Sequence, residues 1–219
     1  MGQLTPDRYL FNPLLLASCI GRPTSVFTNT LVLLATASAT QGHSTNLIFA
    51  LSLASYLSLH PILLFPPLVI LCYDAQLRRS NKVINGYSFA IGHTLGITAV
   101  IGSLLYLSFL ITGSWQFLQS TYGVALLLPD LTPNSGLWWY FFTEMFDSFR
   151  EFFLGVFWLH MASYVAGLSF RLRTQPLFVI VALLGIFAIF VPYPSVAESG
   201  MFLSVLPLYR HVFPCRFLL

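Results

Sequence analysis

Charge is the scarcest feature of this sequence. Ten basic and seven acidic residues are spread over 219 positions, so 8% are charged, against roughly 25% in globular domains. Seventeen charges cannot coat a soluble domain of this size, keep a chain disordered, or line a basic stripe for nucleic acid. Nucleic acid is therefore excluded as a partner. Cysteine is also sparse: Cys19, Cys72 and Cys215 stand far apart with no CxxC pair, which removes zinc ribbons and dithiol redox sites and leaves three small hydrophobes. No HExxH, EF-hand loop, P-loop or GxSxG occurs, so no metal site and no cofactor is expected. Ser18-Cys19 has no partner motif for a Cys-His protease, and no N-x-S/T sequon is present. The opening MGQLTPDRYLFNP is not a signal peptide, because Pro6, Asp7 and Pro13 interrupt any short apolar core.

Apolar residues fill the gap: 57% of the chain is hydrophobic and the mean hydropathy is +0.79. The solvent for most of this protein is lipid. A spanning helix needs about 20 mostly apolar residues, and five stretches qualify or come close. These are 26–40, which is short and rich in Ser and Thr, then 46–73, 87–112, 152–170 and 177–192. The second is cut by His60-Pro61 and Pro66-Pro67 and reads as a kinked or broken helix, since proline removes a backbone donor and clashes with the preceding turn. Such a break survives at membrane depth only inside protein or beside a wet cavity. In the third span Gly86, Gly92, Gly96 and Gly102 offer small-residue contacts to a neighbouring helix. The fold class expected is all-α: a single polytopic membrane helix bundle over residues 1–219.

The few charges orient it. Arg78, Arg79 and Lys82 lie in loop 74–86, and Arg171 and Arg173 in loop 171–176. Two spans separate the loops, so both fall on the cytosolic side under the positive-inside rule. Arg8 and Arg22 precede the first span and are expected there too, with a cytosolic N-terminus. His43 is expected in a solvated non-cytosolic loop. Segment 113–151 carries Asp130, Glu144, Asp147 and Glu151 against Arg150 and is expected on the non-cytosolic face.

That segment is the most informative in the chain. Eleven aromatics fall between Trp138 and Trp158, out of 35 in all, and Trp and Tyr favour the headgroup level. Pro129-Asp130-Leu131-Thr132-Pro133-Asn134 is turn chemistry, and Asn134 or Ser135 can cap a helix starting near Gly136. On one continuous helix Glu144, Asp147 and Glu151 share a face, with Phe142, Phe146, Phe149 and Phe153 beside it. Three readings stand at this point: an interfacial amphipathic helix, a ledge for lipid or glycan, or a catalytic carboxylate pair. His60, His93 and His160 lie in or near spans; an intramembrane ionisable group is a functional candidate, though a neutral histidine bonded to its own helix is commoner.

The residues carry a resemblance. PDLTPNSGLWWYFFTEMFDSF (129–149) resembles the signature of the PIG-U family, the polytopic U subunits of the glycosylphosphatidylinositol (GPI) transamidase. LFNPLLLASCIGRPTSVFTNTL (10–31), SLHPILLFPPLVIL (58–71) and PYPSVAESGMFLSVLPLYRH (192–211) are similar to further stretches of it in order. The tail 210–219 departs from it. The resemblance implies a longer protein of which this chain matches the middle. It implies a membrane core resembling part of a GT-C-type glycosyltransferase, and a multi-pass protein of the endoplasmic reticulum membrane. It implies a non-catalytic subunit that works with the other transamidase subunits, the cysteine-protease chemistry lying on another chain. It also implies recognition of the GPI lipid or the C-terminal signal of precursor proteins. Its site residues would be Asp130, Asn134, Trp138, Trp139, Tyr140, Phe141, Phe142, Glu144 and Phe146, with His60, Pro61, Pro66 and Pro67 forming the broken helix. Two other classes stand beside it. A GT-C-type lipid-linked mannosyltransferase would need an acid in an early lumenal loop, yet none lies between Val26 and Asn46 and the only earlier acid is Asp7. A small transporter would show paired helix breaks in related halves, which the sequence lacks.

Overall fold

The computed structural model describes residues 12–80, 85–129, 132–134 and 136–212. Among them every regular element is helical, and the chain is an all-α membrane bundle. Helix α1 spans Pro13–Gly21; Asn12 caps it by accepting the Leu14 N–H at 2.9 Å, with Pro13 in the first turn. Helices α2 (Thr24–Gln41) and α3 (Ser44–Leu57) form a tight hairpin about Gly42. Gly42 adopts φ +74, and a Cβ there would sit 3.1 Å from Gln76 Cγ, so both the turn and its neighbour call for glycine.

The proline-rich segment is where the architecture departs most from the sequence reading. The single broken span expected over 46–73 is two helices. The break falls at extended Ser58 (φ −151, ψ 140), ahead of every proline. His60–Leu64 is a 3-10 turn that runs straight into α4 (Phe65–Ser80). Pro61 takes the first turn, where its missing N–H is harmless. Pro66 and Pro67 leave upstream carbonyls without an i+4 donor, and the tighter turn lets the Phe65 N–H reach the Ile62 carbonyl instead.

Helix α5 (Gly86–Thr112) is capped by Asn85, which accepts the Tyr87 N–H at 3.0 Å. Its contacts with α3 advance in step, Ile48 lying under Gly96 and Tyr56 bonding Ser108 at 2.6 Å, so α3 and α5 run parallel. Tyr73 packs edge-on against Phe89 at 5.4 Å, beside the turn that sends α4 back into α5. Of the four glycines expected to meet a helix, Gly96 lies tightly against Ile48 and Gly86 is in ordinary contact range of Tyr73, whereas Gly92 and Gly102 have nothing within 4 Å. Among the described residues three helices are long and apolar enough to cross a membrane: His60–Arg79, Gly86–Thr112 and Asp147–Arg171.

The extra turn changes the parity of the topology. One end of the bundle carries Arg78 and Arg79 at the foot of α4, Arg171 and Arg173, and also the Gly42-His43 turn. Gln76 fixes that turn by donating to the Gly42 carbonyl at 2.9 Å and to Ser44 Oγ at 2.7 Å. His43 therefore lies at the arginine-rich end rather than opposite it. Arg22 is displaced the other way: α2 starts at the far end, where Ser25 accepts a hydrogen bond from Ser195 Oγ at 3.0 Å.

The core runs along this bundle. Leu47, Leu51, Leu64, Leu68, Leu183 and Phe187 are almost fully buried, joining α3 and α4 to α8 (Pro176–Phe190). Between helices in lipid, what these side chains gain is close packing rather than removal from water.

Candidate functional site

The far end gathers the sequence-predicted residues. The chain leaves α5 through Gly113 and winds across that end in short helical pieces from Gln116 to Leu127. Tyr122 pins it by donating to the Tyr56 carbonyl at 2.6 Å; burial, with the Tyr56 phenol beside it, pushes its own phenol up. Leu128 ends the pieces in the left-handed region (φ +48), and Arg150 Nη2 donates to its carbonyl. The described residues from 113 to 128 are thus tied down onto the bundle.

Helix α6 is Leu137–Thr143. Asn134 Oδ1 accepts the Gly136 N–H at 2.7 Å and turns the chain into it. A Cβ on Gly136 would lie 2.7 Å from Pro194 Cδ, so the 136 backbone and the Pro194 ring are in direct contact. The continuous acid-striped helix expected over 136–151 is not formed. Helix α6 stops at Glu144, Phe146 is extended (φ −67, ψ 134), and Asp147–Phe149 is a 3-10 turn leading into α7 (Arg150–Arg171). The physical reason lies in the rings. Trp138 meets Phe157 at 4.9 Å and Trp158 at 5.6 Å, and Phe141 meets Phe153 and Phe157 at 5.3 and 5.1 Å. In an unbroken helix Trp138 and Trp158 would stand about 30 Å apart, so burying these rings requires the fold-back. Asp147 and Glu151 now occupy the first turns of the next helical stretch, where the dipole favours them, and Glu144 no longer shares their face.

The aromatic residues divide into two groups. Trp138 is fully buried and Phe142 nearly so, with Phe141 and Trp139 half-buried. Trp138 Nε1 donates to the Phe190 carbonyl at 2.6 Å, satisfying both buried polar groups and fastening α6 to the C-terminus of α8. Tyr140 (67% exposed) and Phe146 (79%) face outward, and Glu144 is exposed. Asp130 lies outside the described residues. An open pocket of about 470 Å³ lies beneath Tyr140. It is lined by Gly136 and Leu137 from α6, by the end of α8, and by Pro194, Ser195 and Ser199 around the start of α9 (Val196–Val205).

Beside the pocket floor the 3-10 turn meets α9. His60 Nδ1 bonds Ser58 Oγ at 2.9 Å, its ring packs edge-on against Phe187 at 5.9 Å, and its Nε2 lies 3.9 Å from Glu198 Oε1. Glu198 Oε2 accepts the Ser195 N–H at 3.1 Å, a capping pair at the start of α9. Ten residues rise about 15 Å, too short to span, so Glu198 lies outside the spans; burial pushes its carboxyl up to about 7. Sequence reading passed over Glu198 altogether. Its signal was Ser195 three residues before it, an S-x-x-E capping box. His93 bonds its own helix at Phe89 O (2.8 Å), while its Nε2 is buried without a partner among the described residues. His160 packs edge-on against Tyr164 and Phe190. No group of three or more metal-ligating side chains occurs among the described residues.

Comparison with known proteins bears on this far end. The model of the family described as "GPI transamidase subunit PIG-U" matches residues 5–217, taking in most of the tail that sequence reading set apart. The chain is 32% identical over 213 residues to the "GPI-anchor transamidase component PIGU" of Homo sapiens, covering 96% of this chain and 48% of that protein. It is 34% identical to the "GPI transamidase component GAB1" of Saccharomyces cerevisiae, covering 94% and 50%. With the GAB1 homologue of Schizosaccharomyces pombe the identity is 33%, covering 93% and 48%. The chain spans about half the length of these curated relatives.

Proposed function

The chain belongs to the PIG-U family of GPI transamidase subunits, and from that premise we propose that it acts as a non-catalytic membrane subunit in the attachment of GPI anchors to proteins. Its partners are the other transamidase subunits, the GPI lipid and the precursor proteins that carry a C-terminal attachment signal. It resides in the endoplasmic reticulum membrane as a multi-pass protein, with the arginine-rich end in the cytosol and the far end in the lumen. The transamidation chemistry belongs to another chain. One observation supports this above the others. The family match runs through the stretch that folds into the far-end face, where Tyr140, Phe146 and Glu144 are presented on a scaffold fixed by Trp138. A recognition surface needs side chains that are outward yet held by a packed support, and this end of the bundle meets both conditions.

The reading is tested by detergent extraction and pull-down of the tagged chain, followed by expression in a cell lacking the endogenous subunit. Recovery of a cysteine-protease-like subunit with the chain is expected. The Tyr140→Ala/Glu144→Ala pair should remain in the complex while surface GPI-anchored proteins fall. Failure to recover any transamidase subunit overturns the subunit role. Full restoration of surface proteins by the double variant overturns the recognition role of this face.

A further inference from the structure

The pocket under Tyr140 has a chemistry of its own. Among the described residues, the nine that line it include no charged side chain. The walls are aliphatic, from Leu137, Ile189 and Val196, and one side is the exposed Tyr140 ring. Two hydroxyls that line it, Tyr140 Oη and Ser199 Oγ, have no partner among the described residues; a third, Ser195 Oγ, donates to Ser25 and keeps acceptor capacity. A concave, mostly apolar site with a few convergent polar groups is a ligand pocket. Here the polar groups are all neutral hydroxyls: those of Tyr140 and Ser199 can donate and accept, while Ser195 Oγ, its proton given to Ser25, can accept. Phosphate or a carboxylate would call for a cation, which the described lining lacks, and the Ser195 N–H at the start of α9 is already answered by the Glu198 carboxyl group. An alkyl chain would leave the hydroxyls idle. An uncharged ring edged with hydroxyls uses everything present: its C–H face lies on Tyr140, and its hydroxyls exchange bonds with Ser195 and Ser199.

We propose that this pocket binds a neutral hexose of a membrane glycolipid, with Tyr140 as the stacking platform and Ser199 as the hydrogen-bonding partner. The lipid source rests on the GPI reading above; the hexose rests on the pocket alone.

The test uses the full chain in phosphatidylcholine nanodiscs, extracted without sugar-based detergents. Saturation-transfer NMR is read for methyl α-D-mannopyranoside in solution, octyl α-D-mannopyranoside in the bilayer, and myo-inositol 1-phosphate. Transfer to the octyl glycoside is expected to exceed that to the methyl glycoside, and to be insensitive to salt. It should fall about fivefold in Ser199→Ala, as for one lost hydrogen bond, and further in Tyr140→Leu. Tyr140 is exposed and Ser199 bonds no other side chain among the described residues, so both variants should melt like the wild type. Equal transfer to the two glycosides overturns the lipid source. Transfer only to the inositol phosphate, or transfer unchanged in both variants, overturns the hexose pocket. Pull-down of the partner subunits is read in parallel, so loss of the sugar signal with retained assembly rejects the pocket without touching the subunit role.

Discussion

Gln76 Nε2 donates to the Gly42 carbonyl oxygen at 2.9 Å, across 34 residues of sequence. That contact joins the turn between α2 and α3 to the foot of α4, two residues before Arg78. It makes three passes of the chain between Thr24 and Ser80 where hydropathy alone counts two. The same hydrogen bond therefore puts His43 at the arginine end and leaves Arg22 at the opposite one, where α2 starts and Ser25 meets Ser195. Arg78, Arg79, Arg171 and Arg173 share an end, as the charge pattern predicts, whereas Arg22 does not.

The topology can be read by glycosylation. A sequon inserted near Ser120 should be modified in the endoplasmic reticulum, and sequons near His43 and near Asn81 should not. The usual two-pass reading of 26–73 forecasts modification at His43 instead. Modification at both His43 and Ser120 would sink the three-pass arrangement.

Gln76 should matter for stability in proportion to its two bonds. Gln76→Ala removes the donors to Gly42 and Ser44 and leaves a half-buried carbonyl unanswered. A loss of about 1–3 kcal/mol is expected. Gly42→Val should cost at least as much, because φ +74 disfavours any Cβ and a branched one most. Thermal unfolding in detergent with a buried-thiol probe at Cys72, which touches Ser44 Oγ at 3.7 Å, reads both. An unchanged midpoint in Gln76→Ala would show that the hairpin is held by its apolar seam alone.

Much of this was legible in one dimension, and the illegible parts have physical causes. Composition shows lipid as the solvent, and the run of rings at 138–158 marks the far end. Proline, however, misleads about where the chain turns: Pro61, Pro66 and Pro67 are absorbed by a 3-10 turn, while the turn itself falls on Ser58, a residue with no strong signal. Helical periodicity misleads at Glu144, Asp147 and Glu151. Their spacing fits one face, but the gain from burying Trp138 against Phe157 and Trp158 outweighs helix continuity, and that gain depends on a contact twenty residues away. Exposure is hidden for the same reason: Trp138 and Tyr140 look alike in the sequence, yet one is core and the other surface.

The contrast between those two residues is itself testable. Trp138→Ala should destabilise the protein by about 3–5 kcal/mol through the lost ring and the cavity it leaves. Trp138→Phe should recover most of that, less about 1–2 kcal/mol for the unanswered Phe190 carbonyl. Tyr140→Ala should be nearly silent in stability, within about 0.5 kcal/mol, while affecting recognition. Equal melting losses in Trp138→Ala and Tyr140→Ala would mean that α6 packs as a unit with no outward face.

Glu198 gives a pH dependence of definite sign. Its carboxyl is raised from 4.5 in the open chain to about 7 in the folded protein. The folded state therefore binds a proton that the unfolded state has released, and stability falls as pH rises between those values. The contribution is complete below about pH 4.5 and is lost through about pH 7. His60, 3.9 Å away, is the titratable side chain that faces it, so the comparison must hold His60 constant. Glu198→Gln does so: glutamine can still accept the Ser195 N–H in the capping position but carries no proton to lose. Between about pH 5 and 7.5 the wild-type melting temperature should decline more steeply than that of Glu198→Gln. Parallel slopes would place the proton elsewhere. A slope rising with pH in the wild type alone would reverse the assignment and make the Glu198 carboxylate the stabilising form, paired with a charged His60.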